Sequence, residues 1–340
     1  MSETYVIVGG GQAGGRAADA MRAAGFDGDV VILGDEPVRP YERPPLSKGV
    51  LTGEAADDVV YQRAPGYYDD QGITVRTGSR VTAIDRRAKA LTLADESTLA
   101  YDKLLLATGS RVKRVPVEGA DLAGVHYLRT LADSHRLRES LSPGSRLVVV
   151  GGGYIGLEVA AAARKRDCAV TVLEAADTVM RRQIASELGT WFAEAHRRRG
   201  VEVVTGAKVA RFDGADGQVR AVILADGTEY PADVVVVGVG VAPNVDLAAD
   251  AGIACDDGIV VDAYGRTDDP AVFAAGDVTR HPNPFLGRSV RLESWQNAQF
   301  QADAAGRTMA GQPTEYRLVP WFWSDQFDIN LQMLGLPETW

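Results

Sequence analysis

The sequence predicts an α/β protein in which two parallel-sheet units follow one another along the chain. A repeated glycine fingerprint and the acid that follows each copy are the basis. Gly9-Gly10-Gly11-Gln12-Ala13-Gly14 comes directly after the apolar run Tyr5-Val6-Ile7-Val8, and Gly151-Gly152-Gly153-Tyr154-Ile155-Gly156 directly after Leu147-Val148-Val149-Val150. Both are G-x-G-x-x-G between a buried strand and a helix. The first glycine (Gly9, Gly151) allows the tight turn, the second (Gly11, Gly153) lets backbone approach a pyrophosphate, and the third (Gly14, Gly156) packs helix on strand. The helix N-terminus then presents free N–H groups and the positive end of its dipole to the phosphates. One such motif can be only a turn. Two, each opening a βαβ unit, imply two dinucleotides on one chain, most simply a flavin and a nicotinamide.

The elements follow in order. Residues 4–8 read as a strand, 12–25 as a helix ending near Gly25, and 29–33 as the second strand, after which come Asp35 and Glu36. The prolines of Arg39-Pro40-Tyr41-Glu42-Arg43-Pro44-Pro45-Leu46-Ser47-Lys48 exclude a regular helix or central strand. Short strands are expected at 73–76, 80–85 and 89–93. A buried strand then ends in the small residues Ala107-Thr108-Gly109. The pattern restarts with a strand at 146–150, a helix at 154–166 and a strand at 169–173, closed by Glu174. Strands at 201–204, 208–212 and 219–224 precede Val234-Val235-Val236-Val237, which runs into Gly238 and Gly240. Both halves thus share one order, an internal repeat on the scale of a domain. Residues 259–262 and 271–277 are too short for a third domain and are expected to return to the first sheet.

Each acid lies about 20 residues past its glycine cluster, where a carboxylate accepts hydrogen bonds from ribose hydroxyls; the alternative is a solvated acid at a strand end. A carboxylate at Glu174 repels a 2′-phosphate, so NADH is expected over NADPH. Arg181 and Arg182 are the next cations along the chain.

A chain of 340 residues suggests two or three domains. A net charge of −10 argues against nucleic acid as the main partner, since phosphate binding needs a basic surface. No apolar run reaches the length of a membrane span, and the first strand begins too early to leave room for a signal peptide, so a cytoplasmic protein is expected. Cys168 and Cys255 form no C-x-x-C pair, so a dithiol relay is not expected, and Cys168 reads as a small filler at a helix-to-strand turn. The four histidines (His126, His135, His196, His281) lack ligand spacing, so no metal site is expected.

The chain resembles the flavin-dependent NADH:ferredoxin reductases of the glutathione-reductase fold, the group of the putidaredoxin, rhodocoxin and ring-dioxygenase ferredoxin reductases. Residues 40–48, 107–109, 274–277, 293–298 and 320–326 carry the likeness, which covers nearly the whole chain. The resemblance implies two Rossmann-like domains, one for FAD and one for NADH, plus a C-terminal α+β domain. Its boundaries are 1–112 with 242–319 for FAD, 113–241 for NADH, and 320–340 for the opening of the C-terminal interface domain. Family members usually continue some tens of residues further, so that domain is expected to be truncated here.

By resemblance, Asp35 would hold the adenine ribose of FAD, with Glu36 a near alternative. Arg43 and Lys48 would reach the flavin, and Lys48 would pair with Glu158 near flavin N5. An acid early in a helix is also what the helix dipole alone favours. Ala107, Thr108 and Gly109 would line the FAD site. Asp277 would accept from the ribityl chain, close to a helix N-terminus, unless it is only an N-cap. Trp323 would lie against the isoalloxazine, with Trp295 lining the same pocket. On the NADH side stand Tyr154, Ile155, Glu174, Gly238 and Gly240, with Glu293 on the carboxamide. The implied reaction passes electrons from NADH through FAD to a two-iron ferredoxin that serves a monooxygenase or a ring-hydroxylating dioxygenase. Arg63 and Arg307 are candidates for attracting that acidic partner. The competing readings are an NADH-responsive redox sensor like apoptosis-inducing factor, and a reductase of rubredoxin or another one-electron acceptor. A monomer is expected.

Overall fold

Strands covered on both faces need no polar alternation, and the valine- and leucine-rich runs of this chain form two parallel sheets of that kind. The computed structural model describes residues 2–336, so residues 337–340 of the expected C-terminal domain lie outside the described residues. The chain divides into two units: Met1–Glu42, Val60–Arg111 and Pro243–Phe322 form the first, and Arg43–Val59, Val112–Ala242 and Trp323–Trp340 the second.

The first unit holds a five-stranded sheet in the order Val272–Ala274, Lys103–Leu106, Thr4–Val8, Asp29–Leu33, Ile73–Arg76, parallel throughout. One face packs on the Gln12–Ala23 and Trp295–Met309 helices through Ile7, Ile32, Leu105, Ala17, Met21 and Ala302. Those helices approach closely: a Cβ on Gly306 would lie 2.5 Å from the Ala17 carbonyl oxygen. The other face buries Val6, Val31 and Leu104 beneath Leu91 and Leu93 of a small antiparallel sheet, Val81–Asp85, Ala90–Leu93 and Thr98–Ala100.

The second unit repeats the plan. Its sheet runs Val201–Thr205, Ala169–Glu174, Arg146–Val150, Val234–Val237, Val125–His126, again parallel. The Leu131–Ser140, Tyr154–Lys165 and Ser186–Arg197 helices cover one face with Leu137, Leu157, Ala160 and Phe192. A second antiparallel sheet (Val209–Ala215, Gln218–Leu224, Glu229–Pro231) covers the other with Phe212, Val219 and Val222. Thr130 starts the Leu131–Ser140 helix through a reciprocal capping box with Asp133.

Three outcomes differ from the sequence-based reading. Val272–Ala274 does return to the first sheet, but Ile259–Val260 does not: it pairs in parallel with Thr279–Asn283, held by Ile259 N–H to the Val278 carbonyl at 2.7 Å. Residues 43–59 belong with the second unit because Leu51 enters its core and Ser134, Arg138 and Arg166 bond the carbonyls of Leu46, Val50 and Thr52. Within that segment Pro44 and Pro45 occupy the first two positions of a short 3-10 turn, where a missing N–H costs nothing. Residues 323–336 also pack there, as a hairpin of Trp321–Gln326 and Ile329–Leu334 whose Phe327, Ile329, Leu331 and Met333 lie against the helix-side core.

Candidate functional site

The two glycine turns separate what the chain itself requires from what it leaves open. Gly9 has φ +125° and a Cβ there would lie 2.1 Å from the Ala107 oxygen; Gly151 has φ +106° and would meet the Gly238 oxygen at 2.4 Å. A Cβ on Gly14 would lie 1.9 Å from the Gly9 oxygen, and one on Gly156 2.1 Å from the Gly151 oxygen. Protein packing therefore explains the first and third glycines. It does not explain the middle ones: Gly11 and Gly153 have extended backbone, with φ −99° and −78°, and a Cβ on either meets nothing within 4 Å. Each is the N-cap of its helix, with no side-chain cap and no acid in the first turn. Two helix N-termini thus open onto space that only glycine keeps clear. Both turns fit a dinucleotide pyrophosphate. Ile155, 45% exposed, sits in the first turn of the second of these helices.

Glu174 ends its strand beside the second turn. Its two oxygens accept from Gly152 N–H at 2.7 Å and Ala176 N–H at 2.8 Å, which fixes the carboxylate while leaving lone pairs free. Arg181 is turned to Asp177 at 3.5 Å, and the Arg182 guanidinium comes 3.6 Å from the Cβ position of Gly240. In the first unit the strand register puts Gly34 at the place of Glu174, because Val8 pairs with Leu33 as Val150 pairs with Leu173. The acids come one and two residues later. Asp35 is exposed, and Glu36 accepts from the Tyr41 hydroxyl at 2.7 Å.

Lys48 and Glu158, 110 residues apart, meet in the second unit. The Lys48 ammonium donates to Glu158 Oε2 at 2.7 Å and to the Pro44 carbonyl at 3.2 Å. Glu158 is 3% exposed, so its charge needs internal partners. Ser47 donates to the same oxygen at 2.5 Å, and Ser324 to Oε1 at 2.7 Å. Both serines lie inside segments the sequence singled out, but a hydroxyl carries no spacing signal that would have marked its role. Arg43 donates to the Arg129 carbonyl at 2.5 Å.

In the first unit Asp277 accepts from buried Ser110 at 2.9 Å. It does not cap a helix, since a strand, Thr279–Asn283, follows its turn. The neighbouring Gly276 lies against Ala13 and Ala298, in the opening turns of two helices, and its N–H bonds Gln301. Thr108 and Gly109 are held by Asn244, which bonds the Thr108 carbonyl and accepts on its own carbonyl from the Thr108 hydroxyl. Asn244, Ser110 and Gln301 were not read from the sequence. Burial pushes the Glu42 carboxyl above its usual range, opposed by a hydrogen bond from Trp295 and the charge of Arg63. Trp323 Nε1 donates to Asp325 at 3.1 Å. Glu293 is ion-paired with Arg291. Arg63 is bound to buried Asp19 at 2.5 Å, while Arg307 and Arg16 share Asp303 at 2.8 and 2.7 Å.

Cys168 is fully buried and burial pushes its thiol up; Cys255 is exposed and lies in the other unit. Among the described residues no cluster could hold a metal, and no helix is long and apolar enough to cross a membrane.

Residues 3–302 match the model of the pyridine nucleotide-disulphide oxidoreductase family. The chain belongs to that family. Residues 321–340 match the reductase C-terminal model. As a pyridine nucleotide-disulphide oxidoreductase it is a flavoprotein that uses FAD and NAD(H), and the two open helix ends are what such cofactors need. It is 46% identical to rhodocoxin reductase of Rhodococcus erythropolis over 98% of this chain and 78% of that one. It is also 45% identical to the biphenyl dioxygenase system ferredoxin–NAD(+) reductase component of Paraburkholderia xenovorans, over 99% and 82%. Among solved structures it is similar to the reductase of the covalent putidaredoxin reductase–putidaredoxin complex, with a TM-score of 0.95 and 41% identity over 98% of this chain and 81% of the other.

Proposed function

We propose that this flavoprotein passes electrons from NADH through FAD to a two-iron ferredoxin serving a monooxygenase or ring-hydroxylating dioxygenase. The observation that carries the reading is the nearly full-length likeness, at a TM-score of 0.95, to a reductase joined to its ferredoxin-type partner. In this reading residues 1–112 and 242–319 are the FAD domain, residues 113–241 the NADH domain, and residues 320–340 the start of the interface domain. The 43–59 and 323–336 segments pack with the second unit.

Bound FAD would supply the redox chemistry, accepting two electrons as hydride and giving them up singly. The chain supplies placement and charge. The helix end at Gly11 holds the FAD pyrophosphate, and that at Gly153 the NADH pyrophosphate. Asp35 takes the adenine ribose of FAD. Asp277, steadied by Ser110, takes the ribityl hydroxyls, and Glu293 the carboxamide. Lys48, held by Glu158, would supply the positive charge for the flavin, and Arg43, Trp295 and Trp323 are the other residues proposed to bind it. Glu174 selects NADH. Of the two docking arginines, Arg307 belongs to a triad with Arg16 and Asp303 that keeps one net positive charge, which suits an acidic partner; the charge of Arg63 is balanced by Asp19. The reading places the protein in the cytoplasm.

The test is steady-state reduction of a purified two-iron ferredoxin by the FAD-loaded protein. Fast NADH-dependent reduction that falls steeply with added salt is expected. A protein whose flavin NADH reduces but which no ferredoxin or artificial one-electron acceptor reoxidises would overturn it in favour of the sensor reading.

A further inference from the structure

The hydrogen bonds around Glu158 do not stop at Ser324. Ser324 Oγ lies 3.1 Å from Gln326 Nε2, and Gln326 Oε1 lies 2.9 Å from His196 Nε2. All three side chains are buried, with 0% exposure. Gln326 and Ser324 sit two residues apart on the Trp321–Gln326 strand and so share one face. His196 comes from the last turn of the Ser186–Arg197 helix, with its ring edge-on to Phe327 at 5.0 Å.

The direction of this chain follows from one neighbour. Gln326 Nε2 also faces Met180 Sδ at 3.8 Å, and a thioether can only accept. The amide nitrogen therefore points to Met180 and Ser324, and the amide oxygen to His196. That oxygen can only accept, so His196 carries its hydrogen on Nε2. Ser324 Oγ, filled by the amide, turns its own hydrogen to Glu158 Oε1. The opposite tautomer would leave a buried N–H on His196 Nδ1, which has no hydrogen-bond partner among the described residues, and would set two acceptors against each other. Burial pushes the imidazole below its usual range, which keeps it neutral.

We propose that His196, Gln326 and Ser324 form a positioning array that fixes the Ser324 hydroxyl as a donor to Glu158, and so holds the carboxylate that orients Lys48. These are positioning residues, since they act through Glu158. The inference rests on the reading of Lys48 and Glu158 as the charged pair serving the flavin. It makes the C-terminal hairpin part of that arrangement.

Two measurements on the FAD-loaded protein test it. Long-range ¹H–¹⁵N spectra resolve imidazole tautomers, and His196→Gln assigns the His196 signal among four histidines. A single neutral Nε2–H tautomer at His196 is expected in the native chain, lost in Gln326→Leu. An Nδ1–H tautomer at His196 in the native chain overturns the array whatever the acceptor turns out to be. Second, Ser324→Ala should shift the flavin midpoint potential and lower kcat by about tenfold, with the NADH KM within about twofold. Ser324→Thr, which keeps the hydroxyl, should restore both. An unmoved potential and kcat in Ser324→Ala would reduce the array to scaffolding and overturn the proposal. If no ferredoxin is reduced while tautomer and potential behave as stated, the function reading fails and the array stands.

Discussion

At Glu158 three donors meet one buried carboxylate, so its partners cannot be removed singly without cost. Lys48→Met strands that charge with two serines and is expected to destabilise the fold by about 3 kcal/mol, read by urea unfolding, together with a large fall in the rate of flavin reduction. Glu174 sits in a similar bind, holding two backbone N–H groups while proposed as the ribose acceptor. Glu174→Ala should raise the NADPH-to-NADH ratio of kcat/KM by about tenfold or more and lower Tm, since both N–H groups lose their acceptor. No change in that ratio would remove Glu174 from cofactor selection. His281 bears on stability through its burial. Neither ring nitrogen has a hydrogen-bond partner among the described residues, and burial against Tyr316 lowers it to about 4. The unfolded histidine binds its proton near pH 6.5, so between there and 4 the unfolded state holds more protons. The stability is complete above about 6.5 and falls by about 3 kcal/mol as pH drops toward 4. In His281→Phe that loss should be absent from the urea midpoints, leaving a smaller slope from His126 and His196, which shift in the same direction.

At the scale of an element, the glycine turns make separable predictions. Gly14→Ala drives a Cβ into the Gly9 carbonyl and should destabilise the fold. Gly11→Ala meets no protein atom, so stability of the flavin-free chain should hold within about 1 kcal/mol while FAD is lost on gel filtration. Gly153→Ala should keep its flavin and raise the NADH KM by about tenfold. If Gly11→Ala retains FAD, the open helix end is not a phosphate cradle. These turns were readable because each glycine answers to a fixed offset. So were the strands beside them, whose apolar runs have one stable use. The helices at Leu131–Ser140, Ser186–Arg197 and Trp295–Met309 were not read: Thr130 and Ser294, which cap the first and last, are residues that turns use as readily, and Ala185 gives the middle one no cap signal. Ile259–Val260 was misplaced because two apolar residues carry no record of their partner strand.

At the scale of the molecule, the sequence repeat became two units of one plan, with a parallel sheet, helices on one face and a small antiparallel sheet on the other. What the sequence could not show is how discontinuous they are. Residues 43–59 and 323–336 leave the first unit's stretch of chain to pack with the second, and they bring Lys48, Ser47 and Ser324 to Glu158. That assembly depends on contacts more than 100 residues apart, which no local pattern encodes. The pairing of Lys48 with Glu158 was anticipated only through the resemblance, and the two serines that complete it were not anticipated. The central claim is that one chain holds two dinucleotides and moves reducing equivalents between them. An anaerobic visible-absorbance titration of the FAD-loaded protein with NADH, and with NADPH in parallel, tests it most directly. The account predicts prompt bleaching of the flavin at near-stoichiometric NADH and little response to NADPH. A flavin that NADH leaves oxidised, or that NADPH bleaches equally well, would contradict it.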